Sequence, residues 1–138
     1  MNAHTQRPTE SELAILRVLW EYGPSTVRFV NEQLNTLEKE KEIGYTTTLK
    51  LMQIMHVKGL LSRKRKGKMH IYAPSISEKE TQRQLMDKLV DTAFHGSAMS
   101  LVMQALGSHR ASREELESIR NFLDELTNQE DIDKEDKS

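Results

Sequence analysis

Residues 44–74, GYTTTLKLMQIMHVKGLLSRKRKGKMHIYAP, constrain the fold more than any other stretch. The first part has helical spacing. On a wheel of about 100° per residue, Thr48, Leu51, Met52 and Met55 share one side. Thr46, Lys50, Gln53 and Val57 share the other, flanked by Thr47, Leu49 and Ile54. Gly59 stops this helix. Residues 60–65, a turn at Lys66-Gly67 and residues 68–73 then predict a β-hairpin closed by Pro74. Five cations lie in it, Arg63, Lys64, Arg65, Lys66 and Lys68, with no acid among them.

Two helices are predicted before it. Thr9 and Glu12 form a T-x-x-E capping box, and Leu13, Leu16, Leu19 and Trp20 recur at helical spacing up to the stop at Gly23-Pro24. Ser25 is expected to cap a second helix with Val27, Val30 and Leu34 inside. The charged run 38–42 (EKEKE) reads as a loop or a frayed helix end. Three helices and a basic hairpin, with a tight GPST link between the first two, match a winged helix-turn-helix. Periodicity alone also allows other small α+β arrangements. Trp20 is expected in the core of this unit or against the wing.

Further helices follow. Ser77 with Glu80 caps a fourth, running to about Phe94, with Leu85, Leu89 and Ala93 in one stripe and Met86 and Val90 beside it. Gly96 breaks it. SAMSLVMQALG is a short apolar helix. Ser112 with Glu115 caps the last, lined by Leu116, Ile119, Leu123 and Leu126. The segment 128–138 is charged and expected to be disordered. About 50 residues of helix bury too little surface to stand alone, so a homodimer is expected through residues 77–127. Its apolar contacts are Leu85, Leu89, Phe94, Leu101, Val102, Leu106, Leu116, Ile119 and Leu123. The expected organisation is mainly α: a winged-helix DNA-binding domain at 1–75, a small helical dimerisation domain at 76–127 and the acidic tail.

Charge supports a division of labour. Residues 1–75 carry a net +5 and residues 76–138 a net −6, within a total of −1. With a polar helix face before it, the basic hairpin suits double-stranded DNA: the helix in the major groove, the hairpin along the backbone. Thr46, Thr47 and Lys50 offer hydrogen bonds, and Leu49 and Ile54 apolar contacts to thymine methyls. Tyr45, Gln53 and the five hairpin cations complete the expected DNA-binding set. Taken alone, a charge run is more often a solvated surface, and the threonines a helix N-terminus.

Other classes find little support. There are no cysteines, which excludes disulfides and thiolate metal sites and fits a reducing, cytoplasmic setting. The five histidines, His4, His56, His70, His95 and His109, form no ligand pair, so no metal site and no cofactor is expected. No phosphate-loop or dinucleotide motif occurs, no catalytic triad is marked, and an enzyme is not expected. No apolar run spans a membrane and no secretory signal opens the chain, so no direct membrane association is expected. Met86, Met99 and Met103 fit core packing better than a ligand pocket.

The segments TESELAILRVLWEYGPSTVRFV, GYTTTLKLMQIMHVKGLLSRKRKGKMHIYAP and SLVMQAL resemble the penicillinase and methicillin-resistance repressor family, the BlaI/MecI type, over roughly residues 8–127. The resemblance implies a winged helix, a helical dimerisation domain and repression at palindromic promoter DNA. It also implies a partner, a membrane-bound zinc metalloprotease sensor whose signal leads to repressor cleavage. The family's DNA-reading positions fall on Thr46, Thr47, Leu49, Lys50 and Ile54, and staphylococcal members carry arginine at the positions of Leu49 and Ile54. Gln104-Ala105 stands where those members have the cleaved Asn-Phe bond. The cysteine motif of the copper-responsive branch is absent. Two other readings keep the winged helix: a regulator released by a small molecule bound between helical domain and wing, and a protein-interaction module with an acidic docking surface.

Overall fold

The computed structural model describes residues 7–37, 40–108 and 111–137. Helices α1 (Glu10–Tyr22), α2 (Val27–Leu37) and α3 (Tyr45–Val57) precede strands β1 (Leu61–Lys66) and β2 (Met69–Pro74). Helices α4 (Glu78–Ala93), α5 (Ala98–Ser108) and α6 (Arg113–Lys137) follow. The chain divides into two compact units between Leu89 and Val90. The first therefore runs past the expected boundary at residue 75. The indole Nε1 of Trp20 donates to the Ile76 carbonyl at 2.9 Å, and Thr81 at the start of α4 is buried.

The first unit is a winged helix-turn-helix. Thr9 caps α1 as the box predicts: the Glu12 N–H donates to Thr9 Oγ1, and the Thr9 N–H donates to Glu12 Oε1. Gly23, at φ 82°, ends the helix, and its N–H donates to the Leu19 carbonyl. That left-handed φ is open to glycine at no steric cost. Ile15, Leu16, Val18 and Leu19 are buried, while Leu13 and Trp20, expected inside with Leu16 and Leu19, are half-buried. Helices α2 and α3 and strand β2 all contact α1, so its buried face is wider than a single stripe. Val27, Val30 and Leu34 of α2 and Met52 and Met55 of α3 close on it, as their spacing predicts. Each such side chain contributes on the order of 1.5–3 kcal/mol through burial.

Two local expectations are corrected. Thr26, not Ser25, caps α2: its Oγ1 accepts from the Phe29 N–H, and its carbonyl accepts from the Val30 N–H. Ser25 instead pairs with β2. The Ser25 N–H donates to the Tyr72 carbonyl at 2.9 Å, and the Tyr72 N–H donates to the Ser25 carbonyl at 2.8 Å. The link between α1 and α2 is thus stitched to the wing. The hairpin turn falls at Gly67-Lys68, one residue later than expected, with Lys66 opposite Met69 and Leu61 opposite Pro74. A two-residue turn needs a positive φ, and Gly67 supplies it at 63°.

The second unit is helical. Glu115 N–H donates to Ser112 Oγ at 3.0 Å, so α6 starts at the predicted cap. It does not stop where expected. The segment 128–137, expected to be disordered, continues as helix to Lys137. It contains no Gly or Pro, and i,i+4 contacts of Gln129 with Asp133 and Glu130 with Lys134 favour the turn locally. Glu38 and Lys39 of the charged run, His4, His109 and Ser138 lie outside the described residues.

Candidate nucleic-acid interface

One face of α3 is held and the other is free. Thr48, Met52 and Met55 are fully buried, with Leu51 half-buried beside them. Helical period then turns Thr46, Thr47, Lys50 and Gln53 to solvent, and all four are exposed. Tyr45 and Ile54 are 46% and 40% exposed. Leu49 is half-buried and packs against the core, so it has a structural reason to be apolar. No acidic side chain lies on α3 or in the hairpin.

Both ends of α3 are pinned by polar contacts from far along the chain. At the N-terminus, Gly44 has no side chain to cap the helix. Asn31 and Asn35, one turn apart on α2, hold the residue before that cap instead. Asn35 Oδ1 accepts from the Ile43 N–H at 2.6 Å, and Asn35 Nδ2 donates to the Ile43 carbonyl at 2.9 Å. Asn31 Nδ2 donates to the same carbonyl and to Thr48 Oγ1, each at 2.9 Å. Sequence reasoning missed this clamp, because no local pattern marks asparagines that hold the entry to another helix. Asn35→Ala should destabilise the protein by about 1–3 kcal/mol by orphaning the Ile43 N–H, while the carbonyl keeps its bond from Asn31. Urea denaturation checks it, and an unchanged midpoint would remove the clamp from the account.

At the C-terminus, Lys58 Nζ donates to Glu12 Oε1 at 3.1 Å and to Oε2 at 2.9 Å. Glu12 is 2% exposed and serves two helices at once, as cap partner of α1 and as counter-ion at the end of α3. Burial alone would raise its carboxyl, but the Lys58 ammonium and the Thr9 contacts outweigh burial and hold it below the ordinary value of 4.5. A carboxyl depressed in the folded state stabilises above its unfolded value, and the contribution is lost as pH falls through the folded value. Glu12→Gln should therefore cost about 1–3 kcal/mol at neutral pH. It should also flatten the decline of stability below pH 4.5. Denaturation curves at pH 7 and pH 3.5 separate the two effects.

The wing carries its cations on two sides. Alternation along a strand puts Arg63 and Arg65 on the face of buried Leu61, with their partners Tyr72 and His70. Arg63 Nη1 donates to the Tyr72 hydroxyl at 3.4 Å, and Arg65 Nε donates to the Gly67 carbonyl at 3.0 Å. Lys64 and Lys66 fall on the opposite face, and Lys68 sits in the turn. All five are exposed, and among the described residues none is paired with a carboxylate.

Residues 8–125 match the penicillinase repressor family. The chain belongs to that family. Its members are transcriptional repressors, not enzymes. The penicillinase repressor of Bacillus licheniformis is 25% identical over 126 residues, covering 87% of this chain and 91% of the relative. The transcriptional regulator BlaI of Mycobacterium tuberculosis is 29% identical, covering 90% and 88%. A mutant of Lactococcus lactis ZitR superposes with a TM-score of 0.42 at 22% identity, over 91% of this chain and 76% of that one.

The residues expected at a dimer contact lie on α4, α5, α6 and the bend after α4. Leu85, Phe94, Leu101, Leu106 and Ile119 are half-buried, while Leu89, Val102, Leu116 and Leu123 are 45–53% exposed. Met86, Met99 and Met103 are not core in the single chain: all three are exposed. Neither α5 nor α6 has a fully buried residue among those described. Gln104 and Ala105 are exposed within α5. No group of acidic and histidine side chains able to hold a metal occurs among the described residues, and no helix there is long and apolar enough to cross a membrane.

Proposed function

We propose that this chain is a sequence-specific repressor that binds palindromic promoter DNA as a homodimer. In each subunit α3 enters the major groove, and the basic hairpin follows the adjoining backbone. The observation that carries this reading is the split of α3. Its inner side is buried to 0% exposure at Thr48, Met52 and Met55, and its acid-free polar side is presented to solvent, followed by a wing whose five cations are exposed. The groove is wide enough for a helix and offers donors and acceptors that Thr46, Thr47, Lys50 and Gln53 can meet.

The C-terminal helices support the dimer. A helical unit without a buried residue among those described, carrying Met99, Val102, Met103, Leu116, Phe122, Leu123 and Leu126 on its surface, gains its core from a second copy. Two heads on one palindrome then bind with the advantage of effective concentration, and repression is occlusion of the promoter.

A mobility shift with DNA from upstream of its own gene, against scrambled DNA at two salt concentrations, tests the reading. Selective, salt-sensitive binding at two chains per site is expected. Equal binding to both DNAs, or none, overturns it. The relief mechanism is proteolysis by a membrane-bound metalloprotease sensor at Gln104-Ala105. That bond is exposed but helical, and the Gln104 carbonyl accepts from Ser108 Oγ, so α5 must open before cleavage. Mass spectrometry after induction should find fragments ending at that bond, and a chain left intact would exclude this relief.

A further inference from the structure

A cleft of about 270 Å³ opens where the start of α2, the start of α3 and the wing meet. Arg28, Tyr45, Lys68 and His70 line it, with Thr26 at its edge and the buried Tyr72 ring beneath. No acidic side chain is among the lining residues. The Arg28 guanidinium lies over the Tyr45 ring at 5.9 Å, and the His70 ring meets the Tyr72 ring edge-on at 6.2 Å. Neither Arg28 nor Lys68 has a carboxylate partner among the described residues. The first turns of α2 and α3 hold no acid, so the positive ends of two helix dipoles add to the same field.

From this geometry we infer that the cleft is a binding site for a single phosphate group, with Arg28 as its main cation. A guanidinium forks onto phosphate oxygens with two parallel N–H donors, and the Tyr45 ring 5.9 Å away favours a cation at this place. Lys68 closes the site from the wing turn as a point charge. Thr26 Oγ and the Tyr45 hydroxyl supply neutral donors, and His70 lines the cleft from the wing. Leu49 and Tyr72 also line the cleft. The sequence hid this site, because Arg28 lies 40 residues from Lys68 and sits alone on a helix read as scaffold.

The phosphate has two sources of the same chemistry. One is a backbone phosphodiester of bound DNA, which rests on the repressor reading above. The other is a free phosphate ion or phosphomonoester, which would then compete with DNA for the cleft. Two experiments separate them. The first follows amide resonances of Arg28, Tyr45, Lys68 and His70 while inorganic phosphate is added at constant ionic strength, with chloride as the control ion. The second measures binding of operator and scrambled duplexes by the wild type, Arg28→Ala, Arg28→Lys and the opposite-face control Lys64→Ala.

For a backbone phosphate, Arg28→Ala weakens both duplexes about equally and lowers the log–log salt slope by roughly 0.9 per subunit. Arg28→Lys recovers the slope but not the full affinity, since the charge returns without the fork. For a free phosphate, saturable shifts appear at those four amides, are lost in Arg28→Ala, and persist in Lys64→Ala. If Arg28→Ala changes neither the affinity, the slope nor the phosphate-induced shifts, the inference is overturned. A wild type that binds no DNA would defeat the repressor reading alone, and the phosphate titration would still decide the cleft.

Discussion

Replacing Leu116 and Leu123 with glutamate should yield a monomer whose affinity for a two-half-site operator is lower by about 10²–10⁴. The two leucines lie seven residues apart on α6, on one face, and are 46% and 53% exposed in the single chain. A glutamate pair in a second copy's apolar contact would leave buried charges without partners, which costs more than the apolar contact itself supplies. The DNA-binding head is untouched, because its core draws on Ile15, Leu16, Val30, Met52 and Tyr72 and on nothing from α6. Each head should therefore still bind a single half-site with its intrinsic, weak affinity. Sedimentation equilibrium and titration of whole and half operators read the two quantities. A variant that stays dimeric would place the contact elsewhere on α4 or α5. One that is monomeric with undiminished operator affinity would remove bivalency from the mechanism.

The residues that carry this prediction were visible as spacing alone, and so was much of the head. Thr48, Met52 and Met55 face inward as the wheel requires, and the capping boxes at Thr9 and Ser112 start helices where their hydroxyls predict. These are local signals, set within one or two turns. What stayed hidden was long-range. Glu12 reads as a cap residue, and nothing near it shows a lysine 46 positions later completing its ion pair. Asn31 and Asn35 read as ordinary polar positions of α2, although they hold the start of α3. Ser25 offered a hydroxyl at a plausible cap, and its backbone pairing with Tyr72 won instead. The acidic composition of 128–137 suggested disorder, yet Gln129, Glu130, Lys134, Glu135 and Lys137 favour helix and no Gly or Pro intervenes, so α6 runs on despite Asn128 and three aspartates. At the site, charge announced the wing but not its two faces, since composition carries no register.

Register gives the second large effect. Arg63→Ala/Arg65→Ala should reduce DNA affinity more than Lys64→Ala/Lys66→Ala, although each pair removes the same charge. The arginines share their face with Tyr72 and His70, the side of the wing on which the cleft beside α3 opens. They are also oriented before binding, Arg63 by the Tyr72 hydroxyl and Arg65 by the Gly67 carbonyl, so less side-chain freedom is lost on contact. The lysines lie on the other face of the strand, and no hydrogen bond orients them there among the described residues. Counterion release at 0.1 M salt is worth about eightfold per contact, so the arginine pair in both subunits should cost about 4 × 10³ in affinity and about 3.6 in log–log salt slope. The ratio of operator to scrambled affinity should hold, because phosphate contacts carry no sequence. Thr47→Ala/Gln53→Ala should do the reverse, lowering that ratio by about 10-fold or more while leaving the slope unchanged. Equal losses from the two wing pairs would mean that the duplex meets the hairpin at its turn, where Lys68 stands, and not along the arginine face.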